Sequence, residues 1–591
     1  MTNATRMTVA GYLKQRLEEL ELDRLFGVAG NYTAPFLNTI LEDKQSPIAI
    51  TGVPNEICAG YAADGYARLK GIGAVTVTYG VGAFSLLNAV AGSYMELAPV
   101  VVINGAPTNK EFLNERISGL VYSHMMDDPN SNLNVYRQVA VSAQRIVNAN
   151  EAPSQIDAAL TACITHRQPV YLEVLEDVWR APCPAPAGML SRQQVSITVS
   201  DVKSAVLATL NMIQERGKPL FWAGVEIQRQ GLQSEFLELL ERTGISFTTS
   251  VLGKSIVSED HPGYLGVYAP EGSNSSSGSG SAEVKQLVEN AGCLIGLGAW
   301  TTGKDTNNQL IQGDGVALAQ HGGVTVGARF FPSVMLADYM HGLIDAVKRA
   351  PPRFTAYKPE VPKVLSAAVK AEPTLTYDSF FATLDTWLTP ENVVVSDAGF
   401  PLLGAQNLHI SSANGFVAQA SWLAIGYSTP AAIGVKCASP DKRVVVVVGD
   451  GAFQETCQAV SSHRYLGHDT VVFVMANGIY GIEQKLVNPN PFRTPPVVYE
   501  DPLLNEVFPY NELHPWSYAK LAEAFGGQGR VVTTAGELSE VLAEIESRPD
   551  DNFVVEVRIP KVDIPSSARK SLANAGEDET ANPSWPPGLL F

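Results

Sequence analysis

The stretch RVVVVVGDGAFQETCQAVSSHRYLGHDTVVFVMANGIYGIEQ, residues 443–484, decides the fold. Two apolar, β-branched runs, RVVVVVG and TVVFVMA, flank a segment long enough for a helix. Continuous apolar runs separated by helices mark parallel strands covered on both faces. The unit therefore reads as strand, Gly-Asp-Gly turn, helix, second strand and a turn at Asn477. Parallel sheets bind ligands beyond the carboxyl ends of their strands. Asp450 and Asn477, 27 residues apart, stand at two adjacent ends of this kind. Mg²⁺ takes one or two protein oxygens and completes its octahedron with water and phosphate. Gly449 and Gly451 let backbone approach closely, and a helix expected to begin near Phe453 aims its free amides at the same point. A Gly-Asp-Gly alone is usually an ordinary turn; with the asparagine at this distance, the pattern suits a metal-bridged diphosphate.

The same alternation recurs along all 591 residues, as in AVTVTY (74–79) and PVVVING (99–105). Proline-rich seams at RAPCPAPAG (180–188) and APPRFTAYKPEVPK (350–363) divide the chain into three α/β blocks. The expected domains are 1–182, 195–350 and 365–562, followed by a tail at 563–591 that would act as lid or strap. EGSNSSSGSGSAE (271–283) reads as a low-complexity loop. The formal net charge is −18, with no basic stripe, which argues against nucleic acid as a partner. The six cysteines are scattered without a C-x-x-C pair, so neither a disulfide framework nor a zinc site is expected. A reducing, cytoplasmic setting fits. The N-terminus lacks an apolar core of signal-peptide type. The most apolar stretch, 74–107, is interrupted by Asn88, Glu96 and Asn104, so it reads as strand–helix–strand and not as a membrane span.

The Gly-Asp-Gly…Asn pattern resembles the thiamine-diphosphate-binding motif. The wider chain resembles the pyruvate/indolepyruvate/phenylpyruvate decarboxylase family through DRLFGVAGNYTAPFL (23–37), GVPNEICAGYAADGYAR (52–68), SWLAIGYSTPAAIGV (421–435) and PYNELHPWSYAKLAEAFGG (509–527). The resemblance implies three doubly wound parallel-sheet domains: pyrimidine-binding, middle and diphosphate-binding. It implies that thiamine diphosphate and Mg²⁺ are the cofactors. Glu56 would share a proton with the aminopyrimidine ring nitrogen. Ile425 would hold the cofactor bent, and the carbonyl of Leu423 would accept its exocyclic amine. Asp450, Asn477 and the Ile479 carbonyl would hold the metal, with Gly449, Gly451, Ala452 and Tyr480 beside the diphosphate. Glu483 would face the substrate side. The family places the two cofactor ends on different subunits, so a homodimer at least, and a homotetramer as a dimer of dimers, is implied.

Departures matter here. The family's aspartate after the first strand is Asn31, and its histidine pair is Ser123 and His124 in GLVYSHMMDDPNSN (119–132). An amide cannot donate a proton as an acid, and such catalysis is worth ~10²–10⁴-fold. Ala452 stands where the family often has serine, and 487–509 reads as a proline-rich insertion able to act as a lid. The expected reaction is non-oxidative decarboxylation of a small-molecule 2-oxo acid to an aldehyde. The alternative is carboligation to an acyloin or acetohydroxy acid. Expected pocket walls are Tyr122, Met125, Phe400, Trp422 and Ile482.

Overall fold

Apolar runs between residues 24 and 175 pair into one six-stranded sheet, every pairing parallel. Its spatial order is Ala49–Gly52, Arg24–Gly27, Gly73–Thr78, Val100–Ala106, Val170–Leu175 and Ser142–Ile146. A computed structural model describes residues 6–193, 199–268, 282–302, 311–355, 357 and 374–568. The third block builds a second parallel sheet in the order Phe416–Ala418, Asn392–Ser396, Arg443–Gly449, Val471–Ala476, Phe553–Arg558 and Gln528–Val532. By chain order both sheets run 2-1-3-4-6-5, so each has its switch point beside its first strand. There the crossover helices diverge and leave a crevice. The middle sheet is parallel from Tyr264–Val267 through Phe247–Thr249, Pro219–Ala223 and Cys293–Leu297 to Val316–Gln320. It then adds Gly323–Val326 and Arg329–Pro332 as an antiparallel edge.

The expected α/β organisation stands, with local corrections. The seam at 180–188 is not only a connector, because Pro182–Pro184 pairs antiparallel with Arg6–Thr8 and ties together the two ends of the first block. Proline is tolerated in such a short edge ladder. The helix after Gly449 begins at Asp450, not near Phe453, because the extended Gly449 serves as its cap. The 487–509 insertion is folded into short 3₁₀ turns, among them Asn490–Phe492 and Pro502–Asn505. The tail begins as a strap: Asp563 accepts from the Tyr377 amide at 2.6 Å, and Ser567 donates to the Leu403 carbonyl at 2.9 Å. The rest of the tail, half of 350–363 and nearly all of 271–283 lie outside the described residues. All six cysteines are free thiols. No helix among the described residues is long and apolar enough to cross a membrane.

The first and third blocks meet through helices Glu56–Lys70 and Ser428–Ala438. Their crossing depends on two glycines. A Cβ on Gly434 would lie 1.8 Å from the Ala62 carbonyl oxygen, and one on Gly65 would lie 2.3 Å from that of Ala431. Backbones this close pack at interior density, and the core is continuous across them. Both helices run directly from the loops that carry the site.

Candidate active site

At the switch point of the third sheet, the valine strand delivers Asp450 into the crevice, 2% exposed. Its Oδ2 accepts from the Gly478 amide at 2.6 Å, and its Oδ1 accepts from the Gly451 amide at 3.0 Å. The first bond clasps the two turns that the sequence set 27 residues apart. Burial pushes the Asp450 pKa up to about 6, opposed by these backbone donors. Asn477 is buried beside it and accepts from the Ile479 amide at 3.2 Å. The side chains brought together are thus a buried carboxylate and an amide oxygen, both hard ligands suited to Mg²⁺. A divalent cation would also offset the cost of burying Asp450 charged. A Cβ on Gly449 would meet only Pro401, at 3.8 Å, so the turn before Asp450 has open space on one side. One on Gly451 would meet the Tyr480 ring at 2.4 Å, so that ring lies flush on the turn. These residues fit a metal-bound diphosphate.

The loop 421–427 is held from two sides. Glu96, fully buried at the end of helix Val81–Met95 in the first block, accepts from the Ser421 amide at 2.7 Å and the Trp422 amide at 2.8 Å. Its other oxygen pairs with Arg68 at 2.9 Å, and Arg68 also pairs with Asp64 at 2.6 Å. On the far side, Asp397 accepts from Gly426 at 3.1 Å and from the Ser428 amide and hydroxyl at 2.8 and 2.7 Å. Between these anchors Leu423 is forced to φ +58°, a left-handed conformation that costs a non-glycine residue about 1–2 kcal/mol. Strain of this kind collects where a backbone group must point in one direction. Leu423 is the residue whose carbonyl the sequence reading gave to the cofactor. Ile425 packs partly buried against the shared core.

The first sheet carries the residues expected at the pyrimidine end. Glu56 opens its helix after the Asn55 cap, which accepts from Cys58 at 2.9 Å. A Cβ on Gly82 would lie 3.3 Å from Glu56 Oε1, which places the carboxylate against the turn after strand Gly73–Thr78. Tyr79 in that turn donates its hydroxyl to the Ser123 carbonyl at 3.0 Å, and its ring meets His124 edge-on with centroids 6.3 Å apart. Tyr79 also meets the Tyr32 ring edge-on, with centroids 5.5 Å apart. Ser123 and His124 thus meet at one buried tyrosine, while Asn31 stands exposed in the chain next to Tyr32, and His124 itself is exposed at φ +70°. Asp128 is committed to its own loop, accepting from the Asn130 amide at 2.9 Å.

Placement of the remaining expected residues is mixed. Ala452 is buried behind Asp450, and Glu483 is exposed on helix Gly481–Val487. Ile482 packs over Gly399, and the Trp422 indole donates to Asn88 at 3.1 Å. Tyr122 accepts from Asn114 at 2.9 Å, and Met125 packs against the first core. Phe400 is corrected: it is 2% exposed and packs edge-on to Tyr377 and Phe492, a core residue and not a free pocket wall. Glu96 and Asp397 were not singled out as site residues.

Three family signatures of thiamine pyrophosphate enzymes match the chain: the N-terminal TPP binding domain at 7–127, the central domain at 206–317 and the C-terminal TPP binding domain at 397–557. Relatives include the alpha-keto-acid decarboxylase of Mycobacterium tuberculosis (strain CDC 1551), 30% identical over 94% of this chain and 95% of its own. That of Mycobacterium leprae (strain TN) is 30% identical over 98% of each chain. Pyruvate decarboxylase 4 of Arabidopsis thaliana is 28% identical over 99% of this chain and 94% of its own. The chain belongs to the thiamine-diphosphate-dependent 2-oxo acid decarboxylases, a family of lyases.

Proposed function

We propose that the protein decarboxylates a 2-oxo acid without oxidation, using thiamine diphosphate and Mg²⁺ bound between two copies of the chain. The observation that carries this is the clasp of Asp450 to Gly478, which gathers Asp450, Asn477 and the Ile479 backbone at one switch point. Asp450, Asn477 and the Ile479 carbonyl would hold the metal, with Gly449, Gly451, Ala452 and Tyr480 at the diphosphate. When bound, the thiazolium ring supplies an electron sink for the bond pair left as carbon dioxide departs. Glu56 would hold a proton at the aminopyrimidine nitrogen. Leu423 would accept the exocyclic amine, and Ile425 would keep the two rings folded together. Glu483 would face the substrate, and His124 would deliver the proton that completes an aldehyde.

A second copy is supported by the rims of the two half-sites. Leu113, Ile117, Leu120 and Val121 near His124, and Leu486 near Glu483, are each more than half exposed. We read the working unit as a homodimer, paired into a homotetramer, in a cytoplasmic setting, with domains at 1–182, 195–350 and 365–562 and a tail at 563–591. Carboligation is the second reading. Asn31 and Ser123 favour it, since slow proton delivery leaves the intermediate free for a second carbonyl. The test supplies pure protein with thiamine diphosphate, Mg²⁺ and a panel of aliphatic, branched and aromatic 2-oxo acids, and follows carbon dioxide and organic products. Aldehyde as the main product supports the first reading and acyloin the second. No carbon dioxide from any acid sinks both.

A further inference from the structure

The segment that follows Glu483 carries an amide clamp that the proposed chemistry does not use. Gln484 lies one residue beyond the exposed Glu483, about 100° further round the short helix, and is fully buried. Its Nε2 donates to the Asn488 carbonyl at 2.9 Å. Its Oε1 accepts from the Phe508 amide at 2.8 Å and from Asn511 Nδ2 at 3.0 Å. Asn511, also buried, accepts at its carbonyl from the Tyr480 amide at 2.9 Å. Two residues on, the Leu513 amide donates to the Gly478 carbonyl at 3.0 Å, and Glu512 forms an antiparallel bridge with Ile479. Residues 508–513 thus form a splint along 478–480, and Gln484 pins that splint to the helix bearing Glu483.

We infer that Gln484, acting through Asn511, is a positioning residue that fixes the Ile479 carbonyl and Glu483 relative to one another. The inference rests on the proposed function, which assigns those two groups to the metal and the substrate. The physical basis is satisfaction of buried polar groups. Both acceptor sites of Oε1 are used, and a buried donor that loses its acceptor bears its full desolvation penalty. The insertion, which Gln484 bonds at Asn488 and Phe508, is also held by hydrogen bonds of its own. Asn490 donates to Val497 at 2.8 Å and Leu504 at 3.0 Å, and Asn488 donates to Leu504 and Glu506 at 3.1 and 3.2 Å. Loss of Gln484 should therefore uncouple two ordered parts and leave each folded.

Two variants test this. Gln484→Leu keeps bulk and removes both acceptors. Gln484→Glu keeps the acceptors but turns the donor facing Asn488 into a second acceptor. A protonated carboxyl restores the donor, so the glutamate variant should recover as pH falls, and the leucine variant should not. The first readout is amide hydrogen exchange in protein free of cofactor. Exchange at Tyr480 and Leu513 should quicken about tenfold or more in Gln484→Leu, with strand Val471–Ala476 unchanged. The second readout is thiamine diphosphate affinity in Mg²⁺, expected to weaken about tenfold, with kcat falling more than KM rises. Wild-type exchange and affinity in Gln484→Leu overturn the inference. A glutamate variant whose amide exchange, measured against wild type at the same pH, is raised equally at about pH 8 and about pH 5 overturns it too, even if the leucine variant does not fold. Failure of the wild-type protein to bind the cofactor overturns the proposed function, and the inference with it. Normal wild-type binding beside an unaffected variant overturns the clamp alone.

Discussion

Replacing Glu96 with alanine should loosen the cofactor loop from a distance. The carboxylate is fully buried, receives two backbone amides of the loop, and balances Arg68, which is itself buried. Breaking a buried ion pair from one side costs ~3–5 kcal/mol, and each orphaned amide ~1–3 kcal/mol. These do not add, because Arg68 keeps Asp64 at 2.6 Å and the three groups share one network. A loss of ~3–5 kcal/mol in unfolding free energy is expected, read by urea denaturation. The functional part is smaller. Once free, Leu423 can leave φ +58° and recover ~1–2 kcal/mol of strain, which the cofactor must then supply again on binding. Thiamine diphosphate affinity in Mg²⁺, measured by calorimetry, should fall by roughly five- to thirtyfold. Glycine has no such strain, so adding Leu423→Gly should return much of the lost affinity without returning the stability. Wild-type affinity in Glu96→Ala, or no recovery in the double variant, would refute the reasoning.

Glu56→Gln should retain the cofactor and lose ~10²–10⁴-fold of turnover, with deuterium exchange at the thiazolium carbon slowed in parallel. Fast exchange removes Glu56 from its role. His124→Ala should lower the aldehyde-to-acyloin ratio, and Ser123→His with Asn31→Asp should raise it; a ratio indifferent to both places proton delivery elsewhere. A pH effect follows from His463 and His468, whose Nδ1 atoms lie 3.3 Å apart beneath the Thr429 carbonyl. Burial lowers them to about 4 and about 3, with the neighbouring His463, Lys436 and Arg24 adding to the depression of His468. A depressed imidazole stabilises the fold above the unfolded value near 6.5, and this is lost as pH falls toward 4, by ~3 kcal/mol for His463. His468→Leu should flatten the loss of urea stability between about pH 6.5 and 4, and an unchanged slope contradicts the assignment.

The valine strand, its Gly-Asp-Gly turn and the asparagine turn were legible because each is local. A buried parallel strand has an unbroken apolar run, and a metal turn has fixed residue types at a fixed spacing. The anchors of the loop were not. Asn88 and Glu96 were visible in the sequence as polar interruptions of an apolar stretch, which excluded a membrane span. Their partners, Trp422 and the 421–422 amides, lie more than 320 residues away, and no local spacing reports them. Asp397 likewise accepts from residues across a chain crossing. Phe400 was misread because an aromatic after a turn looks alike whether it faces a crevice or the core. The middle sheet's antiparallel edge lies on short strands whose alternation is too brief to separate from parallel ones.

The central claim is that one working site needs Glu56 from one chain and Asp450 from another. Mixed dimers of Glu56→Gln and Asp450→Ala test it most directly. Each variant alone should be nearly inactive, and calorimetry should show Asp450→Ala without Mg²⁺-dependent cofactor binding. Co-expressed, with two purification tags to report assembly, each mixed dimer should hold one intact site and one doubly defective site. Random pairing then restores about a quarter of wild-type turnover, and purified mixed dimers about half. If mixed dimers form and stay as inactive as the parents, the site lies within a single chain and the account is contradicted.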